Sequence, residues 1–138
     1  MSPLFSEAVG KIKEALAKHP EVRLIEGERS IKIAVEDPKG FEVELIDDEY
    51  ELTIVAGPYH THLDEAEDAA NAFLWMLTPV YRIVENLRGK HMTSAQLQRE
   101  ENGKWETMGT MGLLVPFFGR KSKRIYQNRL IPIQDKRS

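Results

Sequence analysis

Two histidines one residue apart, His60 and His62, are the side chains of this sequence best placed to do chemistry together. They follow an apolar stretch that ends at Gly57-Pro58 and precede an acidic run that begins at Asp64. Because alternate side chains of an extended segment point to the same side, both imidazoles can bind one metal ion. A helix beginning just after them would also disfavour the imidazolium form and leave lone pairs for a ligand. The same pattern fits two loop histidines hydrogen-bonded to carboxylates or water, and we favour this second interpretation.

Known metalloenzyme patterns do not complete a metal site around this pair. Amidohydrolases need a far longer chain than 138 residues, and cupins place their further ligands on strands. JAMM-type metalloproteases come closer, because their His-Ser/Thr-His motif follows a strand and precedes a helix, but they then require Ser-x-x-Asp. This chain has Ala70-Asn-Ala-Phe73 there, without the serine or the acid. We therefore predict no catalytic residue, no bound metal and no cofactor, and keep a metal-dependent hydrolase using His60-x-His62 as an alternative.

Acidic residues are concentrated in one part of the chain. Residues 26–68 contain 14 Asp or Glu and only 3 Lys or Arg. Like charges on neighbouring strands reduce stability, so a surface that keeps them suggests a positively charged partner. A solvated hairpin would carry similar residues. We predict that an acidic sheet face binds a basic protein partner through these residues: Asp47, Asp48, Glu49, Glu51, Tyr59, His60, His62 and Asp64.

The C-terminal end is basic, because residues 119–138 contain 7 Lys or Arg and 1 Asp. The run from Gly119 to Arg124 could contact phosphates, with Tyr126 stacking on a base. A nucleic-acid-associated protein is therefore a further alternative. A short basic stretch is more often a solvated tail, or it neutralises an acidic surface of its own chain. We do not expect nucleic acid as a partner, and a tail folded over the acidic surface would also remove the predicted binding role.

The composition fits one domain. The chain is 41% apolar and 30% charged, with a net charge of −3 and no Cys, which excludes disulfides and thiolate sites. We expect no signal peptide, because the first residues lack a basic start and a continuous apolar core, and no membrane span, because no apolar run approaches roughly 20 residues. We predict a single cytoplasmic domain over residues 1–138, with a basic and flexible tail from about residue 120. The apolar Pro116-Phe-Phe118 segment fits core packing or, if exposed, a homodimer contact.

The spacing of apolar residues predicts an α+β fold, with an N-terminal helix and a central apolar helix packed on a largely antiparallel sheet. The first helix is expected over residues 3–18, with Ser2 as its cap. The central helix is expected to begin at Asp64, where Asp64-x-x-Glu67 matches a capping box. Asn102-Gly103 predicts a hairpin turn. Alternation predicts strands over residues 22–26, 30–36, 41–45, 50–56, 80–87, 92–100 and 104–110.

Three segments together resemble small bacterial immunity-type proteins encoded beside polymorphic toxins. They are Gly57-Pro-Tyr-His-Thr-His-Leu-Asp64 leading into an acidic, Ala-rich helix, the hairpin Asn102-Gly-Lys-Trp105, and Gly112-Leu-Leu-Val-Pro-Phe-Phe118. The likeness covers roughly residues 41–118. It implies a non-enzymatic role in which the protein binds and blocks a toxin domain, and it assigns no inhibitory residue.

Overall fold

A computed structural model describes residues 1–112 and 119–132, which form two helices and nine strands. The strands make two antiparallel sheets, so the α+β class is confirmed, although one sheet was expected. The Pro116-Phe-Phe118 segment lies outside the described residues. The elements are α1 (Pro3–Leu16), β1 (Leu24–Glu26), β2 (Ser30–Ile33), β3 (Val43–Asp47), β4 (Leu52–Ala56), β5 (Tyr59–Leu63), α2 (Ala66–Trp75), β6 (Tyr81–Arg88), β7 (His91–Glu101), β8 (Lys104–Gly112) and β9 (Lys121–Gln127).

Helix α1 begins as the sequence predicts. Ser2 is the N-cap, its hydroxyl accepts a hydrogen bond from the backbone N of Phe5 at 3.1 Å, and Pro3 occupies the first turn. One side of the helix carries its apolar residues at helical spacing, and this side is buried: Phe5, Ala8, Val9, Ile12 and Leu16.

Strands β1 to β5 form the first sheet, each antiparallel to the next. Strand β5 was predicted only as an extended segment. It turns back on β4 through Gly57-Pro58, where Gly57 has a φ of 55°, which glycine adopts without strain. Its exposed side carries two histidines, so its sequence lacks strong apolar alternation. The inner side of the sheet includes Ile31, Ile33, Val43, Leu45, Leu52 and Ile54.

Helix α2 packs against α1 and against β3, β4 and β5, as a central apolar helix should. Its predicted start is wrong. The helix begins at Ala66 with Glu65 as N-cap, and no side chain makes the capping hydrogen bond. Because Leu63 is still paired with Leu52 in the sheet, Asp64 comes too early in the chain to cap the helix.

The second sheet has the strand order β8-β7-β6-β9. The hairpin prediction is confirmed, since Asn102 and Gly103 join β7 to β8 with φ values of 54° and 78°. The segment expected as a basic tail contains strand β9, which pairs with β6 through its backbone. Five of its seven residues, from Lys121 to Ile125, are exposed. The sequence of the strand therefore lacks the apolar alternation from which a strand is predicted.

Asn128, which follows β9, ties the C-terminal segment to the rest of the core. Its side chain is 2% exposed, accepts a hydrogen bond from Phe41 N at 3.0 Å, and donates to Phe41 O at 2.9 Å and Met76 O at 3.1 Å. The two sheets also meet where β5 contacts β7 and β8. Neither helix of the described residues is long and apolar enough to cross a bilayer.

Candidate functional site

The register of the first sheet brings two acidic segments to the same edge. The last paired row of β3, β4 and β5 is Asp47–Leu52–Leu63. Asp48 and Asp64 come directly after this row and Glu51 directly before it, so the three residues lie together where the strands end. The first turn of α2 begins immediately afterwards. We call the exposed carboxylates of this region the acidic edge: Asp48, Glu49, Glu51, Asp64, Glu65, Glu67 and Asp68.

No Lys or Arg of the described residues forms an ion pair with the acidic edge; the one contact with a basic side chain is between His62 Nδ1 and Glu51 Oε2. The carboxylates therefore repel one another. The charge of Asp68, a hydrogen bond with it, and the charges of Asp64 and Glu67 together raise the pKa of Glu65 above its ordinary value. Residues Glu65, Glu67 and Asp68 were treated in the sequence as helix-start residues, and the β5 pairing makes them part of this surface.

A polar network occupies the centre of the acidic edge. The Thr53 hydroxyl donates to Asp48 Oδ2 and lies 2.9 Å from His62 Nδ1, while Glu51 Oε2 lies 3.1 Å from the same nitrogen. An N–H at Nδ1 of His62 can therefore donate a hydrogen bond to the Thr53 hydroxyl oxygen or to Glu51 Oε2. Thr53 is buried and was not identified from the sequence, because its role depends on its pairing with His62 across β4 and β5.

Asp48, Glu51 and His62 also form a possible cation site. Each offers a ligand atom, all these atoms lie within 4.8 Å of one another, and all three residues are exposed. Two carboxylates and one imidazole are ligands that a divalent cation accepts. His60 is outside this group: its ring centroid lies 5.7 Å from that of His62, with the rings edge to face. The ligand group therefore combines His62 with two acids, whereas the metal site kept as an alternative from the sequence used His60 and His62 together.

Asp47 is buried, whereas the sequence placed it among the exposed acidic binding residues. It is 3% exposed, and its carboxylate accepts hydrogen bonds from Ser2 N at 2.8 Å, Ser2 Oγ at 2.7 Å and Glu49 N at 2.9 Å. The alternation of β3 explains the correction, because Asp47 continues the inward-facing set of Val43 and Leu45.

Tyr59 is buried too, whereas the sequence placed it among the predicted binding residues. It is 8% exposed and belongs to the main core cluster, and its hydroxyl lies over the backbone of Gly109 in the second sheet. Burial raises the pKa of the phenol, against the opposing effect of a hydrogen bond with Thr61. Tyr59 therefore packs between the two sheets, and little of its side chain is exposed to solvent.

The acidic residues do not form a uniform sheet face either. The outer row of the first sheet reads Ile25, Lys32, Glu44, Val55 and His60, and Lys32 lies 3.8 Å from Glu42. Negative charge is concentrated at the edge, whereas this face is mixed.

No family model, curated protein or solved structure matches this chain. The resemblance to immunity-type proteins therefore stays a prediction.

The basic C-terminal segment does not cover the acidic edge within the described residues. Strand β9 pairs with β6 in the second sheet, and residues 119–132 form no ion pair with the acidic edge. Tyr126, predicted as a base-stacking residue, is half-buried and its hydroxyl donates to Glu85 Oε1 at 3.0 Å. It lies on the opposite side of β9 from Lys121 and Lys123.

Proposed function

We propose that this protein is a small, non-enzymatic binding protein whose acidic edge engages a basic protein partner. One observation carries the proposal: seven exposed carboxylates meet at one edge of a sheet without a Lys or Arg partner among the described residues. Such a surface raises the local concentration of a cationic protein and accelerates its association.

The position of the chain's own cations supports this proposal. Had residues 119–132 lain over the acidic edge, its charge would have been neutralised internally, but they extend the far sheet. The finer form of the proposal, a bacterial cytoplasmic protein that blocks a basic toxin domain, rests on the resemblance of residues 57–64, 102–105 and 112–118 to immunity-type proteins.

Charge reversal tests the proposal. The variant Glu49→Lys/Asp64→Lys/Glu67→Lys changes three exposed acids that make no hydrogen bond through their side chains to the core. The matched control Glu7→Lys/Glu14→Lys/Glu28→Lys makes the same charge change on exposed positions elsewhere. Genome sequence first identifies any basic protein encoded beside this gene. That protein, purified, is the probe, and association is followed by surface plasmon resonance at several salt concentrations.

We expect the acidic-edge variant to associate at least about tenfold more slowly, with a weaker salt dependence, while the control stays close to the unmodified protein. Equal association rates for the two variants would remove the proposal. A partner that associates only through an acidic surface of its own would also contradict it.

A second candidate function, binding of a divalent cation, is favoured by the grouping of Asp48, Glu51 and His62 within 4.8 Å. It replaces the hydrolase alternative based on His60 and His62 together. Binding requires neutral His62, so acid should compete with the ion. Titration calorimetry with Zn²⁺ should show binding that His62→Ala abolishes and His60→Ala preserves. Equal effects of the two substitutions, or no binding by the unmodified protein, would exclude this site.

A further inference from the structure

The outer side of the second sheet carries cations from two paired strands. Side chains alternate between the two sides of a strand, so residues an even number of positions apart lie on the same side. Arg82 and Arg88 therefore share one side of β6, and Lys121 and Lys123 share one side of β9. The register pairs Arg88 with Lys121 and Asn86 with Lys123, so these side chains share one face. Lys121 and Lys123 are exposed, and both arginines are half-buried.

Between the row of Arg82 and the row of Arg88, the described residues place no carboxylate on this face. None of its four cations forms an ion pair with an acid of the described residues. The side chains that separate the cations are polar amides, hydroxyls and aliphatic groups. We call this surface the basic face: Arg82, Asn86 and Arg88 on β6, Ser94, Gln96 and Gln98 on β7, Thr107 and Thr110 on β8, and Lys121, Lys123, Ile125 and Gln127 on β9. Val84 lies on the same side of β6 but is only 2% exposed, so it is not part of the accessible surface.

An aromatic ring borders one end of the basic face. The guanidinium carbon of Arg82 lies 4.1 Å from the ring centroid of Trp105, which is half-buried. Arg82 Nε donates to Gln98 Oε1 at 2.8 Å, and Gln98 Nε2 donates to Thr107 Oγ1 at 3.3 Å. These contacts hold the guanidinium over the ring, and the hydrogen bond to Gln98 uses only Nε, which leaves other N–H donors for an acceptor such as phosphate.

We propose that the basic face binds single-stranded nucleic acid. Arg82 and Arg88 are six residues apart on β6, which corresponds to about 20 Å, or about six nucleotides at the 3.4 Å spacing of a stacked strand. Lys121, Lys123 and Arg88 would contact phosphates, while Trp105 and the half-exposed Ile125 offer surfaces to bases. The amides of Gln96 and Gln98 add donors and acceptors for base edges.

The width of the sheet favours a single strand over a duplex. Four strands at about 4.8 Å spacing measure about 14 Å across before their side chains are counted, which exceeds the roughly 12 Å width of the DNA major groove. Ile125 is the one exposed large apolar side chain among the residues of the basic face, whereas an interfacial membrane-binding surface carries a full apolar side. The sequence predicted phosphate contacts only for the run from Gly119 to Arg124, on a tail and with Tyr126 as the stacking group, and it did not identify Arg82 or Arg88.

Fluorescence anisotropy with a labelled oligo-uridine of about 12 nucleotides tests this proposal across a salt series. The main variant is Lys121→Ala/Lys123→Ala, and Lys11→Ala/Lys18→Ala on the exposed side of α1 and just beyond it is the matched control. Arg88→Gln provides an independent variant on a central strand, and Trp105→Leu tests stacking. Circular dichroism confirms that each variant is folded.

We expect the unmodified protein and the Lys11/Lys18 control to bind with the same salt slope. The slope, log K against log salt, should become shallower by about 0.7 for each lysine removed from β9. Arg88→Gln should act in the same direction, whereas Trp105→Leu should weaken binding without changing the slope. Absence of salt-dependent binding, equal losses in both lysine pairs, equal affinity for a duplex, or lysine-dependent binding to phosphatidylserine vesicles would each overturn the proposal.

Discussion

The carboxylate of Asp47 holds the N-cap of helix α1 in place by accepting two hydrogen bonds from Ser2, one from its backbone N at 2.8 Å and one from its hydroxyl at 2.7 Å. The same hydroxyl accepts a hydrogen bond from Phe5 N at 3.1 Å. Asp47 at the end of β3 therefore fixes the cap of α1, which is distant in sequence, and belongs to the scaffold of the fold.

Asp47→Asn should destabilise the protein by about 2 kcal/mol, because hydrogen bonds to a charged group contribute about 1.5–3 kcal/mol. Glu49→Gln is the matched control, since Glu49 is exposed, and its cost should stay within about 0.5 kcal/mol. Urea denaturation measures both. Similar stabilities for the two variants would mean that the Ser2–Asp47 link does not stabilise the fold.

Acid should remove the stabilisation that Asp47 provides. Burial alone raises its pKa, but hydrogen bonds from Ser2 N, Ser2 Oγ and Glu49 N, with the charge of Arg29, outweigh burial and lower it. A carboxylate with a lowered pKa stabilises the folded state above its unfolded pKa, and this contribution is lost as pH falls through the folded pKa. The stability difference between the unmodified protein and Asp47→Asn should therefore shrink between about pH 7 and pH 3. A difference that stays constant over this range would contradict the assignment.

The same residues show what local sequence can and cannot predict. Helix α1 follows from one stripe of apolar residues and a Ser-Pro start, so its prediction is nearly complete. Asp47 and Asp48 look alike in the sequence, yet strand alternation places Asp47 with Val43 and Leu45 on the inner side and leaves Asp48 exposed. Extending the predicted β3 alternation by two residues would have found this.

Strands β5 and β9 were harder to predict, because their positions depend on pairing. The exposed sides of both carry polar or charged residues, and hydrogen bonds to β4 and β6 hold them in the sheets. Without β5, the sequence could not show that the α2 acids join Asp48 and Glu51 at one edge. Without β9, the basic residues could only be described as a tail.

Loss of the Asn128 side chain should be among the most damaging single changes. Asn128→Ala would leave Phe41 N, Phe41 O and Met76 O without their side-chain partner in the core. We expect a cost of about 2–4 kcal/mol, since each buried unsatisfied group costs about 1–3 kcal/mol. Asn86→Ala, which removes one surface hydrogen bond to Ser94, should cost less than about 1 kcal/mol. Thermal unfolding of both variants checks this order, and the reverse order would contradict it.

A methyl group at position 109 should separate the two sheets. An added Cβ at Gly109 would lie 2.0 Å from the Tyr59 hydroxyl oxygen and 3.1 Å from Cζ, so the buried ring would have to move. Gly109→Ala should cost about 1–3 kcal/mol, as overpacking does. Gly10→Ala is the control, because nothing lies within 4 Å of its Cβ in α1, and it should stabilise by about 0.5–1 kcal/mol.

A double-mutant cycle identifies the cause of the Gly109 effect. Tyr59→Phe removes the oxygen that meets the new methyl group, so Gly109→Ala should cost less in the Tyr59→Phe background. Denaturant unfolding of the four proteins gives the coupling. Strict additivity would show that the contact with the Tyr59 hydroxyl is not the source of strain.

Glu65 should be a position where substitution stabilises the protein. It is the N-cap of α2 without a capping side-chain bond, and the neighbouring acids Asp68, Asp64 and Glu67 raise its pKa. Glu65→Ser supplies a capping hydroxyl and removes one charge, so its melting temperature at neutral pH should rise by about 3–6 °C. Glu65→Gln removes the charge alone and should give a smaller rise.

The two Glu65 variants respond differently to pH, which separates capping from repulsion. A carboxyl with a raised folded pKa favours the folded state below its unfolded pKa, and this contribution disappears as pH rises through the folded pKa. The gain from Glu65→Gln should therefore vanish in acid, where Glu65 is protonated, while Glu65→Ser should keep the gain from its cap. If Glu65→Gln were no more stable than the unmodified protein at neutral pH, repulsion within the acidic edge would be too weak to matter. A gain in stability for Glu65→Gln at neutral pH would mean that the chain keeps a destabilising charge at the surface proposed to bind a basic partner. Such a charge is expected where function opposes stability.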